Sequence, residues 1–180
     1  MPSRSLRHLA QHIDVPERTL RRAAAEGLIH GERTSARRYL TSLREEAYLR
    51  EHWPLLRTLR DGLRTEPNVR LAVLFGSQAT GSARAGSDVD ILVALEDSDA
   101  ARVAQLTGRL ESRLERDVQL VRLEDAERVP ALMLDALERG RVLIDRDGRW
   151  RELQAETHPW QTRADQSEVP LDQAMPDLNL

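Results

Sequence analysis

The sequence predicts an α/β (α+β) chain, with a small mixed sheet flanked by helices behind an all-α helix–turn–helix segment. Three observations predict it. The first 44 residues carry helical apolar spacing and a surplus of arginine. From Val69 onward, short strand-like apolar runs alternate with helical ones. Two of those strand-like runs bracket a small, polar, glycine-rich stretch. At 180 residues, 40% apolar and 32% charged, the chain can build a packed core, as one ordinary domain or two small ones.

Taken in order, Leu6, Leu9, Ala10 and Ile13 keep the i, i+3, i+4, i+7 spacing of an amphipathic helix, with Ser3 or Ser5 as its N-cap. Asp14-Val15-Pro16 interrupts it. A second helix starts near Pro16 and stops at Gly27. Leu28 to Arg33 reads as a short extended segment and turn. A third helix is expected from near Ser35 through Leu40, Leu43, Ala47 and Tyr48 to about His52. Pro54 is expected to end it and open a further helix carrying Leu55, Leu56, Leu59 and Leu63.

After Thr65-Glu66-Pro67-Asn68 the period changes. Val69 to Phe75, Asp88 to Leu95, Asp117 to Leu123 and Val142 to Ile144 read as strands. Helices from about Asp99 to Glu115 and from Pro130 to Arg139 separate the later ones, and residues 78–87 form a loop with one helical turn. From about Arg151 the pattern dissolves into an acidic, proline-bearing tail with a lone Trp160, expected to be mobile. The expected divisions are 1–44, a connecting helix over 45–53, a core over 54–148, and a tail over 149–180.

Composition excludes several classes of protein. No stretch approaches the roughly 18 apolar residues of a membrane span, and the N-terminus lacks the apolar block of a secretory signal. The expected location is the cytoplasm, with no membrane partner. Cysteine is absent, which removes disulfides, zinc–thiolate sites and thiol nucleophiles. The five histidines, at 8, 12, 30, 52 and 158, suggest no metal-ligand spacing, so any metal is expected on oxygen. All 27 basic residues are arginine, a forked donor suited to phosphate. Nine of them lie in residues 1–44 against four acids, leaving the rest of the chain acidic. A basic head on an acidic body suggests two roles in one chain.

The chemistry concentrates in residues 74–93, LFGSQATGSARAGSDVDILV. One strand ends at Gly76-Ser77, and ten residues later Asp88-x-Asp90 opens the next. Residues two apart on a strand share a face, so the two carboxylates project together. Such a pair repels, and one member tends to keep its proton unless a cation compensates it. Hard oxygen ligands in an open site suit Mg²⁺, which is held by one or two carboxylates plus substrate phosphates. Gly76 removes a Cβ where a polyphosphate approaches the backbone, and Ser77 offers hydroxyl and amide at a helix start. Asp117, opening the following strand, is the third candidate carboxylate.

Three acids, a metal and a phosphate-cradling turn are what two-metal nucleotidyl transfer requires. Asp88 and Asp90 are the expected metal ligands; Asp117 is the expected ligand of a second metal, a general base, or both. Gly76, Ser77, Arg84 and Ser87 are the candidate nucleotide-binding residues.

Gly76, Ser77, Asp88, Asp90 and Asp117 resemble the signature of the minimal nucleotidyltransferases of the DNA polymerase β-like superfamily. That superfamily includes aminoglycoside nucleotidyltransferases and the antitoxin partners of HEPN ribonucleases. The resemblance covers residues 54–148. It implies a nucleotidyltransferase fold, ATP or another NTP with Mg²⁺, and transfer of NMP to an acceptor hydroxyl. In the antitoxin branch the acceptor is a tyrosine of a HEPN toxin, which makes such a toxin the expected partner. One departure stands out. Relatives carry arginine in a Gly-Ser-x-Ala-Arg-Gly pattern where this chain has Thr80, so a phosphate-facing cation is lost or replaced by Arg84.

Residues 5–29 have a helix–turn–helix outline that looks like a MerR-type or winged reader. In it Arg18, Thr19, Arg21 and Arg22 are the candidate DNA-binding residues on the second helix, joined by Arg37 and Arg38. Trp53, Trp150, Tyr39, Tyr48 and Phe75 are read as packing residues. The expected function is a Mg²⁺-dependent protein-modifying nucleotidyltransferase with DNA-binding autoregulation, possible as an oligomer. The alternatives are a DNA-binding regulator whose transferase fold only senses nucleotide or binds a partner, and a small-molecule (antibiotic) nucleotidyltransferase.

Overall fold

The computed structural model describes residues 3–35 and 38–165. The chain forms two compact units that divide between Arg57 and Thr58. In the first, β1 (Ser3–Ser5) leads into α1 (Leu6–Ile13), α2 (Glu17–Ala25), β2 (Glu32–Ser35) and β3 (Arg38–Ser42). Ser5 caps α1, its hydroxyl accepting from the His8 amide at 3.3 Å. Asp14 closes α1 in the left-handed conformation, and the sequence turns at Pro16 into α2. Leu6, Leu9, Leu20, Ala23, Leu28 and Ile29 are buried.

This unit is not all-α as expected. The three strands form an antiparallel sheet in the order β1-β3-β2. Residues 38–42 form a strand where the sequence suggested the start of a helix, while β2 begins within the segment read as extended and turn. Leu40 falls in phase with Leu43 and Ala47, which imitates one helical stripe. A capping signal was available, however. Ser42-Leu43-Arg44-Glu45 has the spacing of a helix start, and the Ser42 hydroxyl accepts from the Glu45 amide at 3.1 Å.

Helix α3 (Leu43–Arg64) then runs unbroken through Pro54. An interior proline costs about 3 kcal/mol. Here Leu49, Leu56, Leu59 and Leu63 are fully buried on one stripe either side of it, and Pro54 itself faces solvent. Burial of those leucines outweighs the lost hydrogen bond, which periodicity around a proline does not reveal.

The second unit contains β4 (Val69–Leu74), α4 (Gly76–Thr80), β5 (Val89–Leu95), α5 (Ala100–Leu114) and β6 (Val118–Arg122). It continues through α6 (Leu123–Ala126), α7 (Pro130–Arg139), β7 (Arg141–Asp145), α8 (Arg149–Ala155) and α9 (Thr157–Asp165). Its sheet is mixed, ordered β6-β5-β4-β7, with β5 and β6 parallel and the other neighbours antiparallel. The parallel pair is joined by the α5 crossover, as parallel strands require. The core gathers Leu71, Val73, Phe75, Leu92, Val121 and Met133.

Helices α8 and α9 replace the pattern-free tail expected after Arg151, as far as Asp165. The Asp145 carboxylate accepts from the amides of Arg149 and Trp150 at 3.1 and 3.3 Å, capping α8. Trp150, Leu153 and Trp160 join the core, with Trp160 only 5% exposed. Pro159 sits in the first turn of α9, where proline is tolerated. Residues 166–180 lie outside the described residues. Truncating a buried aromatic removes both transfer energy and packing, so Trp160→Ala should cost about 3–5 kcal/mol in chemical denaturation; a change below about 0.5 kcal/mol would mean that α9 does not close this core.

Candidate active site

The site forms where β4 gives way to α4. Phe75 is the N-cap, and its amide donates to the Asp90 carbonyl at 3.0 Å, fixing the end of β4 against the start of β5. Gly76 follows with φ +66°, and a Cβ there would stand 2.6 Å from Asp90 Oδ2. Only glycine satisfies both the left-handed backbone and the closeness of the carboxylate. Gly76 and Ser77 therefore form the first turn of α4 with the Asp90 side chain directly against it.

Asp88 immediately precedes β5 and is exposed, whereas Asp90 lies within the strand and is half-buried. Val89 and Ile91 are fully buried on the other face, so the alternation expected from the sequence is observed. Burial, and after it the negative charge of Asp88, push the Asp90 carboxyl up to about 6.

The loop between α4 and β5 is tied to itself. Gly81 takes the left-handed conformation and the Ser82 amide donates to the Ser77 carbonyl at 3.0 Å. The Ser87 hydroxyl accepts from the Arg84 amide at 2.9 Å, and the Ser87 carbonyl accepts from buried Gln78 at 3.3 Å. Arg84 itself is exposed. Thr80 keeps its hydroxyl local, 3.2 Å from the Gly76 and Ser77 carbonyls and 2.8 Å from the Ser82 hydroxyl. It cannot stand in for the arginine that the resembling pattern carries.

Asp117 sits one residue before β6, exposed, and its carbonyl accepts from the Val89 amide at 3.0 Å. It thus lies at the same end of the sheet as Asp88, outside the strand rather than opening it. The register pairs Asp90 with Gln119, so the β6 residue beside Asp90 is an amide, half-buried. Sequence reasoning missed Gln119, although counting two on from Asp117 reaches that face. It also missed Arg141, 3% exposed, whose guanidinium donates to the Ala79 carbonyl at 2.8 Å and anchors α4 to β7. No local pattern marks that contact, which spans 62 residues.

In the first unit Arg18, Thr19, Arg21 and Arg22 are all exposed on α2. Arg21 donates to Glu17 at 2.9 Å and Arg22 to Glu26 at 2.7 Å, each one turn away. Arg38 is the exposed first residue of β3, and Arg37 lies outside the described residues. The expectation that no histidines share ligand spacing is overturned: His8 and His12, four apart on α1, converge with Glu46.

Residues 57–149, just over half of the chain, match the family described as "Polymerase beta, Nucleotidyltransferase". The chain belongs to this family of polymerase β-type nucleotidyltransferases, and it is an enzyme of that class. Among solved structures it is similar to a toxin–antitoxin complex crystallised with AMP-PNP. That match is 26% identical with a TM-score of 0.52, covering 62% of this chain and 90% of that one. It also resembles the MntA–HepT toxin–antitoxin complex at 24% identity, covering 63% of this chain and 90% of that one, TM-score 0.48. A third likeness is a tri-AMPylated HEPN toxin from Shewanella oneidensis in complex with MNT antitoxin. It is 25% identical and covers 64% of this chain and 87% of that one, TM-score 0.44. No curated protein matches the chain. Among the described residues no helix is long and apolar enough to cross a membrane.

The Asp90 shift has a testable sign. Its folded carboxyl is raised from 3.8 to about 6, so between those values the folded chain holds a proton that the unfolded chain releases. Without a cation, this group's contribution to stability is present below about pH 4 and is lost as pH rises to about 6. Thermal midpoints in chelator at pH 4.5 and 7 should therefore fall less in Asp90→Asn than in the parent chain; an equal fall in both would contradict the buried, uncompensated carboxyl.

Proposed function

We propose that the chain is a Mg²⁺-dependent nucleotidyltransferase that moves NMP, AMP from ATP, onto a hydroxyl of a protein partner. The carrying observation is the closeness of the Asp90 carboxylate to Gly76 in the first turn of α4, with the charge of Asp88 acting on it. The donor set fits magnesium: oxygen ligands only, half open to solvent, and carrying uncompensated negative charge. Asp88 and Asp90 would hold it, and when bound it supplies charge neutralisation at phosphate oxygens and at the attacking oxygen.

The chain's own residues supply the rest of the chemistry. Gly76 contributes no side chain of its own, which would let phosphate oxygens approach the main-chain N–H groups of this turn beside Asp90. The 84–87 turn is bonded to itself and, through the Ser87 carbonyl, to Gln78 of α4, and its exposed Arg84 guanidinium would meet phosphate. The acceptor oxygen bonds to the α-phosphorus as the bond to pyrophosphate breaks, and its proton passes to a carboxylate. Asp117, exposed at the head of β6, is the candidate for that role, as base or as ligand of a second metal.

We read the biological role as toxin neutralisation. The similar complex that contains AMP-PNP, an ATP analogue, is a toxin–antitoxin pair. The family resemblance makes a HEPN toxin the partner whose hydroxyl is modified. In the first unit, α1 and α2 joined by a short turn and followed by the β2–β3 strands support a winged helix–turn–helix that binds DNA through α2. Arg18 and Thr19 would lead the contacts. Arg21, Arg22, Arg37 and Arg38 would serve phosphate, with Arg21 and Arg22 first exchanging their intrahelical carboxylates.

One observation favours a second reading, a regulator that binds nucleotide without transferring it: an amide, Gln119, lies beside Asp90. A single assay separates the two. Labelled ATP, Mg²⁺ and the co-purified partner should give a covalent adduct on the partner that Asp88→Asn/Asp90→Asn abolishes, while a gel shift on the upstream DNA weakens steeply with salt. Nucleotide binding with no adduct would leave only the regulator, and a salt-insensitive shift would remove arginine–phosphate contacts from the account.

A further inference from the structure

We propose that the first unit carries a second, separate metal site, built from His8, His12 and Glu46 and suited to zinc. His8 and His12 lie one turn apart on α1 with ring centroids 4.0 Å apart. Glu46, in the first turn of α3, brings its carboxylate to them, and one ligand atom from each of the three residues lies within 4.8 Å of the others. His8 Nε2 stands 4.0 Å from Glu46 Oε1.

Two features distinguish this group from an ordinary charged cluster. Glu46 is only 6% exposed, and its Oε2 is buried without a hydrogen-bond partner. A buried orphan acceptor is costly, and its presence calls for a missing donor or cation. Arg4 Nε is 4.0 Å from that oxygen, beyond hydrogen-bond reach, and Arg50 makes only a 3.4 Å bond to the other oxygen. Both arginines are largely exposed, so neither has been drawn in to neutralise it.

The second feature is the orientation of His12. Its Nδ1 lies 2.9 Å from the His8 carbonyl, which can only accept, so Nδ1 carries the proton and the Nε2 lone pair is free. A ring nitrogen held by a backbone carbonyl is the usual outer-shell support of a metal-binding histidine.

Two imidazoles and one carboxylate form a borderline nitrogen–oxygen set that favours zinc over magnesium or calcium. Zinc bound by such a set keeps a fourth position for water. Tetrahedral ligands at about 2.0–2.1 Å stand roughly 3.3 Å apart, so the rings must close in slightly. His12 is exposed, so that small shift disturbs no core packing. The cation would tie α1 to the start of α3, linking the helix that precedes α2 to local zinc concentration.

The test uses the full chain carrying Asp88→Asn/Asp90→Asn, so that the carboxylate pair cannot compete for metal. After chelation and dialysis, calorimetric titration with ZnCl₂ alone should show one zinc per chain, confirmed by elemental analysis. Co²⁺ in its place should give the visible absorption of a tetrahedral site. His8→Ala or His12→Ala should weaken binding by more than the roughly 10–100-fold that loss of an outer-shell partner costs. Because His12 is exposed, His12→Ala reads binding without disturbing the core, and circular dichroism confirms the fold. Absence of zinc binding, or binding indifferent to both histidine substitutions, overturns the proposal. A His8–Glu46 pair that needs only a proton would give the first of these results.

Discussion

The second unit is organised around the approach of one backbone atom to one carboxylate. Gly76 can sit against Asp90 Oδ2 only because it has no Cβ and tolerates φ +66°. That approach lets β4 end, α4 begin and β5 pass beside them within a few residues. The Phe75 amide bonded to the Asp90 carbonyl holds the two strands in register there. Arg141, reaching from β7 to the Ala79 carbonyl, holds the other end of the short helix. Asp90 is thus set against a turn fixed by backbone geometry, and the short helix that follows is anchored by a buried guanidinium.

This arrangement costs stability. A half-buried Asp90 beside Asp88 is an unfavourable electrostatic environment. Such sites persist where the surrounding structure over-determines them. Here the surroundings are fully buried Val89, Ile91, Leu92 and Val93 on β5, with Trp150, Leu153 and Trp160 completing the core. Helices α8 and α9 therefore belong to the same core as the strands that carry the site.

Much of this was legible from the residues. Strand patterns locate β4 to β7 to within a residue or two, and the alternation of Asp88, Val89, Asp90 and Ile91 gives the facing of the pair. What was not legible depended on tertiary contacts. Pro54 lies inside α3 because flanking leucines are buried, and β3 stands where a helix was expected, because Leu40 falling in phase with Leu43 and Ala47 imitates a helical stripe. Trp160 joins the core through a cap at Asp145 that no periodicity shows. At the site, Gln119 was hidden because register, not sequence spacing alone, decides which β6 residue lies beside Asp90. His8 and His12 are four apart in the sequence, yet their meaning appears only when Glu46 arrives from α3.

Because the account depends on the Gly76–Asp90 contact, the most direct measurement is a crystal structure of the chain with Mn²⁺ and AMP-PNP, using anomalous scattering to locate the metal. The account predicts manganese bound to Asp88 and Asp90, with triphosphate oxygens against the Gly76–Ser77 backbone. No manganese at Asp88 and Asp90, or a nucleotide seated away from the first turn of α4, would contradict it.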